Sequence, residues 1–267
     1  MKSHCWRQAR RFWSGLLLMA WLAAAAPARA VVGYGGSTWG QVAQDFGGLE
    51  GLGSMGYVEQ GVDWAELPGH TLFRSYADYR WRLRTLNTNY YNLRGFTLGT
   101  EFQFPIFRLG AQYNWSDYTS RNENTRSFAL YLGHYYNWDL SRWPGLGSFL
   151  GVPIVGYPGS TWGFHATDCG GPEGFSTMGF VQQGIDWFIL PGNIPFQTFG
   201  LYRWRLRSKN VALYNDYGPA VGASLRGGPF EGGYDYSWQY YPEIRTTVRE
   251  SEIFLRWYYT WDLKHLR

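Results

Sequence analysis

From residue 31 onward, apolar and polar residues alternate with a period of two in runs of about ten residues, the pattern of a β-strand with one apolar face. The run at 71–86 shows it clearly. Phe73, Ser75, Ala77, Tyr79, Trp81 and Leu83 share one face, and Arg74, Tyr76, Asp78, Arg80, Arg82 and Arg84 share the other. The periodicity predicts six strands, at about 31–40, 54–65, 71–86, 93–104, 107–117 and 127–140, and the same six again 123 residues further on. No helical face of useful length appears beyond residue 30.

The second set repeats the first in residues as well as in period. VVGYGGSTWG (31–40) recurs as IVGYPGSTWG (154–163), MGYVEQGVDW (55–64) as MGFVQQGIDW (178–187), and YRWRLR (79–84) as YRWRLR (202–207). Residues 31–144 and 154–267 are therefore two copies of one unit, joined by the Gly/Pro-rich stretch 145–153. Connections alternate in character along each copy. Polar stretches at 41–53, 87–92 and 118–126 read as long loops, and those around Leu67-Pro68-Gly69 and Pro105-Ile106 as tight turns. In the second copy 164–176, 208–217 and 240–249 are long, and Leu190-Pro191-Gly192 and Gly228-Pro229 are tight.

Tryptophans follow the same direction-dependent order. On strands leading to long loops, Trp39, Trp81, Trp115, Trp162, Trp204 and Trp238 all fall late; on strands leading to tight turns, Trp64, Trp138, Trp187 and Trp261 do so. Two aromatic rings at opposite ends of a closed, antiparallel barrel of about 12 strands are expected, embedded in a membrane between them.

The first 30 residues form a separate region: a basic start, the apolar run Gly15–Ala26 and Ala28-Arg29-Ala30. This is the order of a secretory signal cleaved after Ala30, and the apolar run is too short to span a bilayer. Five of the 24 basic residues lie there with no acid, leaving 19 against 20 acidic ones in residues 31–267. The basic pI is thus no argument for nucleic acid as a partner.

A signal peptide, an even strand number, aromatic girdles and the apolar row Trp257, Tyr259, Trp261 and Leu263 near the end resemble bacterial outer-membrane β-barrels as a class. The resemblance implies one transmembrane barrel over 31–267 in the outer membrane of a Gram-negative bacterium. Its implied surroundings are outer-membrane lipid, lipopolysaccharide and the barrel-assembly machinery.

An arginine at mid-depth facing lipid costs about 2–4 kcal/mol, so the Arg face of 71–86 is expected to line the lumen. Arg74, Arg80, Arg82 and Arg84 would form one ladder, and Arg203, Arg205 and Arg207 a second on the opposite wall. Such tracks suit anions, and their layout resembles outer-membrane channels for acidic oligosaccharides. Glu59, Asp63, Asp186 and Glu101 stand on neighbouring strands as partners for the arginines. Two functions follow: a narrow channel for anionic or saccharide solutes, or a non-conducting barrel serving as envelope scaffold, adhesin or partner in surface-polysaccharide export. The first needs uncompensated arginines, the second a paired or plugged lumen.

Catalytic chemistry has little support. His165 with Ser160 and Asp168 is the one trio resembling a triad, and neither a metal-ligand spacing nor a cofactor motif is present. QGVDW (60–64) and QGIDW (183–187) read either as lumenal acids or as a strand end relieved by Gly. Tyr90, Tyr91, Tyr118, Phe164, Tyr240 and Tyr241, placed in the long loops, would be available to stack on sugars.

Overall fold

A computed structural model describes residues 31–141, 148–149 and 152–263; residues 1–30, which the sequence reads as a secretory signal, most of the linker and residues 264–267 lie outside the described residues. The barrel strands are β1 (Gly35–Phe46), β2 (Leu52–Leu67), β3 (Thr71–Arg84), β4 (Leu93–Gln103), β5 (Phe107–Tyr118) and β6 (Glu123–Asp139). After a small ribbon of β7 (Ser148–Phe149) and β8 (Val152–Pro153) come β9 (Pro158–Cys169), β10 (Phe175–Leu190), β11 (Ile194–Arg207), β12 (Asp216–Gly227), β13 (Phe230–Tyr241) and β14 (Thr246–Asp262). The twelve long strands pair antiparallel in chain order and close by β1 pairing with β14. Closure removes both sheet edges, so every strand finds hydrogen-bond partners on two sides. In this ring β3 stands opposite β11, β1 opposite β9, and β6 opposite β14.

Polarity is inverted relative to a soluble barrel. Phe96, Leu98, Val221, Ile253 and Leu255 are exposed on the outside, whereas Glu101, Asp235, Gln197 and Gln239 are buried inside.

Several strands reach further than the periodicity predicts. β1 runs to Phe46 and β9 to Cys169, and β6 and β14 begin at Glu123 and Thr246, so of the six loops expected to be long, 85–92 and 208–215 alone keep more than five residues. The reason is the polar interior: Gln41, Asp45, Glu123 and Asp168 look like loop residues in sequence but occupy inward positions on strands.

Trp39 and Trp162 correct the expected outer girdle. On β1, Gly36 and Gly40 face outward beneath the rings of Trp261 and Trp257, which turns Trp39 inward, level with Tyr57 and Tyr258. Trp162 likewise pairs with Tyr135 and Phe180. Trp81, Trp115, Trp204 and Trp238 stay on the outside near the loop end, and Trp138 and Trp261 on the outside near the turn end.

The repeated QG(V/I)DW segment is a strand device. Register shifts follow Asp63 in β2 and Asp186 in β10, while the backbones of these aspartates bridge to Gly33 and Gly156. A Cβ on Gly61 would strike the Arg74 guanidine, and one on Gly184 the Gln197 amide, so each glycine makes room for a long lumenal side chain.

Candidate functional site

The two long connections, 85–92 and 208–215, are held by their asparagines. Asn92 accepts from the Arg84 N–H at 2.8 Å and donates to the Arg84 carbonyl at 3.0 Å, extending the β3 ladder by a side-chain amide. Asn215 treats Arg207 the same way, at 2.7 and 3.1 Å. Asn87 and Asn210 take left-handed backbone (φ 49° and 50°) and tie these loops to the neighbouring ones at Leu49 and Pro172, each at 2.7 Å. The result places Tyr91 and Tyr214 inside the bore rather than above it.

There the two halves of the chain meet. Arg82 donates to Tyr91 O at 3.0 Å on its own side, then across the bore to Tyr214 OH at 2.9 Å and Glu173 at 2.8 Å. Arg205 mirrors it, donating to Tyr214 O at 3.1 Å, to Tyr91 OH at 3.1 Å and to Glu50. Arg84 donates to Glu50 at 3.0 Å, and Arg207 stands 3.7 Å from Glu173. The guanidinium groups of Arg84 and Arg207 lie over the rings of Tyr91 and Tyr214 at 4.1 and 3.8 Å from the centroids. The two tyrosine rings themselves are 6.1 Å apart. Arginine suits this crossing because its planar fork serves several acceptors and stacks on a ring at once.

Charge is matched closely. Arg82, Arg84, Arg205 and Arg207 face Glu50, Glu173 and Asp216, the last bound to Arg205. Burial pushes the Glu50 carboxyl up, but Arg205 and Arg84 pull it down further, to about 2. Glu173 is lowered in the same way: its burial cost is outweighed by Arg82 and Arg207. Both acids are ionised at neutral pH.

Below this knot the remaining ladder arginines, Arg74, Arg80 and Arg203, are also paired. Arg74 lies 3.2 Å from Glu59 and 3.7 Å from Asp63, and donates to the Gly35 carbonyl at 2.6 Å. Arg80 forks onto Asp78 with two hydrogen bonds of 3.1 Å, and Arg203 reaches Glu250 at 3.1 Å. Glu101 is fully buried, accepting from Tyr131 OH and Gln103 at 2.6 Å each. Asp186 holds Arg226 at 3.3 Å and Gln197 at 2.8 Å.

Sequence reasoning names the ladder arginines but misses most of their partners, Glu50, Glu173, Tyr214, Asp216 and Glu250, and misses Arg108 and Arg226, which face Glu59, Glu101 and Asp186. The sequence expects Tyr91 in a loop, available to stack on sugars; it is buried against Arg84 instead. A signal was present, since Glu50, Asn87, Tyr91 and Asn92 recur as Glu173, Asn210, Tyr214 and Asn215. Nor do the members of the triad-like trio meet: His165 faces outward and bonds Thr177 at 2.8 Å, while Ser160 and Asp168 lie on the other face of β9. Among the described residues no group of His, Cys, Asp or Glu is arranged to hold a metal ion.

An even, closed, antiparallel strand ring with lipid-compatible outside and charged inside has one natural solvent. The molecule is a β-barrel of the outer-membrane type. No family model matches the chain, and no curated protein does. Among solved structures it is similar to the β domain of the Bordetella autotransporter BrkA, with 12% identity and TM-score 0.36 over 84% of this chain and 98% of that one. It is similar also to the translocator domain of the autotransporter NalP from Neisseria meningitidis, with 11% identity and TM-score 0.30 over 94% and 96% of the two chains. A triple mutant of the Rhodopseudomonas blastica porin gives 8% identity and TM-score 0.30 over 85% and 99%.

Proposed function

We propose that this protein is a resting-closed, non-conducting barrel of the outer membrane, acting as an envelope scaffold rather than as a steady anion channel or an enzyme. The observation that carries this reading is the knot: Arg82 and Arg205, from opposite walls, bind the far loops across the bore. Anion selectivity needs guanidinium charge facing open water. Here the ladder arginines face carboxylates within 4 Å, and the loop end is filled by two buried tyrosines. Short connections are periplasmic in this class, so the knotted end is the outer one. Its partners would be outer-membrane lipid, lipopolysaccharide and, during biogenesis, the barrel-assembly machinery.

Planar-bilayer recording on refolded protein tests this directly. The native chain should give no sustained current in a salt gradient. The quadruple variant Tyr91→Ala, Tyr214→Ala, Glu50→Gln, Glu173→Gln should open a small anion-preferring conductance, because it removes the bridges and leaves the arginines uncompensated. Sustained anion-selective current from the native protein would restore the channel reading.

A further inference from the structure

The bore is packed at the loop end but not at the turn end. Tyr91, Tyr118, Tyr214 and Tyr241 are all at most 3% exposed, whereas Tyr135 and Tyr258, also on inward positions, are each 52% exposed. Inward yet accessible side chains mark a vestibule open toward the turns.

Its two opposite walls carry equivalent aromatic triplets. Trp39, Tyr57 and Tyr258 lie side by side on β1, β2 and β14; Trp162, Phe180 and Tyr135 lie side by side on β9, β10 and β6. The vestibule's roof is Arg108, which reaches from β5 toward Glu59 on β2 and Glu101 on β4. Those carboxylates stand 3.9 and 3.8 Å away, beyond hydrogen-bond range, and the Arg108 side chain is 31% exposed. Donors are therefore available in a place that already holds carboxylates. Tyr57 and Tyr258 flank Trp39 in register on one wall, and Arg108 reaches toward Glu59, two residues along β2 from Tyr57, so these groups share one end of the bore.

We propose that this turn-end vestibule binds a neutral saccharide. Apolar ring faces opposite each other, with hydroxyls, a guanidinium and carboxylates between them, match a sugar's alternation of flat C–H faces and equatorial hydroxyls. An anionic ligand at Arg108 would meet Glu59 and Glu101 beside it. An acyl chain would have to desolvate the same charges with nothing to replace their water. The inference rests on which residues face inward and does not depend on whether the knot conducts.

The test is calorimetry on the full chain refolded in an amine-oxide detergent. Neutral hexamers of α-1,4-glucose, β-1,4-glucose and N-acetylglucosamine are the probes, with hexagalacturonate and decanoate as the anionic and acyl comparisons. At least one neutral hexamer should bind saturably and more tightly than either comparison. The Tyr135→Ala, Tyr258→Ala variant should lose about tenfold or more in affinity, and Arg108→Gln should weaken binding too. The outward pair Tyr79→Ala, Tyr202→Ala should leave it unchanged. Heat-modified gel mobility verifies folding of each variant; should the lumenal pair fail to fold, Tyr135→Phe, Tyr258→Phe keeps the rings and should weaken binding through the lost hydroxyls alone. Failure of all neutral hexamers to bind up to about 10 mM, tighter binding of hexagalacturonate or decanoate, or an equal loss from the outward pair would overturn the proposal.

Discussion

Arginine side chains at adjacent inward positions do different work. Arg82 and Arg205 extend across the bore, whereas Arg84 and Arg207 lie flat on the tyrosine of their own loop and support the acid that the opposite or neighbouring arginine binds. Glu50 makes this arrangement sensitive to acid. Its folded pKa, about 2, lies below the ordinary glutamate value of about 4.3. The stabilisation it supplies is therefore complete above the ordinary value and is lost as pH falls through the folded one. Thermal midpoints of the native chain and Glu50→Gln should differ most near neutrality and converge as pH approaches about 2; a constant offset would show that Glu50 acts by packing. Glu173→Gln leaves Arg82 without the carboxylate it binds across the bore, a change that typically costs about 3–5 kcal/mol for a buried pair. The midpoint measured at neutral pH should fall accordingly, and Glu173→Asp should recover part of it.

Strands and turns obey a different logic, set by backbone approach. Gly56 on β2 lies between the Trp39 carbonyl and the Trp81 ring, where a Cβ would come within 2.5 and 2.7 Å of them; Gly179 meets Trp162 and Trp204 at 2.4 and 2.6 Å. The Trp81 and Trp204 indoles are in turn fastened to Ser54 and Thr177 at 3.0 Å. Gly200, also on a strand, has nothing within 4 Å of such an atom. Gly56→Ala and Gly179→Ala should each destabilise the barrel by about 1–3 kcal/mol through overpacking, and Gly200→Ala should be silent in the same unfolding assay. Connections report orientation. A tag inserted at 120–121 or 243–244 should be labelled on intact cells, and one at 191–192 should not; the reverse would invert the barrel and place the knot on the periplasmic side.

At the scale of the whole molecule, the pseudo-symmetry makes closure cooperative. Each half supplies an arginine pair, a tyrosine and a glutamate, and each half's arginine completes the other half's loop. Neither half can make the knot alone. The intact barrel should migrate faster unheated than boiled on a denaturing gel and should fractionate with the outer membrane; release by osmotic shock would contradict a membrane barrel altogether. Opening one loop should also loosen the other, so Tyr91→Ala alone should raise proteolysis at 208–215 as well as at 85–92.

Period-two alternation, tandem repetition and turn residues were enough to read strand number, barrel class and the inward Arg face of β3, because a barrel's two solvents impose that alternation on each strand separately. Strand ends were misread where inward residues are polar, as at Gln41–Asp45 and Glu123–Thr125, since a lumenal strand and a loop then share a composition. The facing of Trp39 was hidden because the outward side of β1 is Gly36, Thr38 and Gly40, whose missing bulk is supplied by Trp257 and Trp261 from β14. Pairing of the arginines was hidden for a related reason: Glu50 and Glu173 lie 155 and 91 residues from Arg205 and Arg82, and only ring closure brings them together. Local pattern thus determined what each strand shows to lipid and to water. Which charges neutralise one another, and so whether the bore is a path or a closed vestibule, was decided by the tertiary structure, because those energies belong to contacts across the barrel that no stretch of sequence contains.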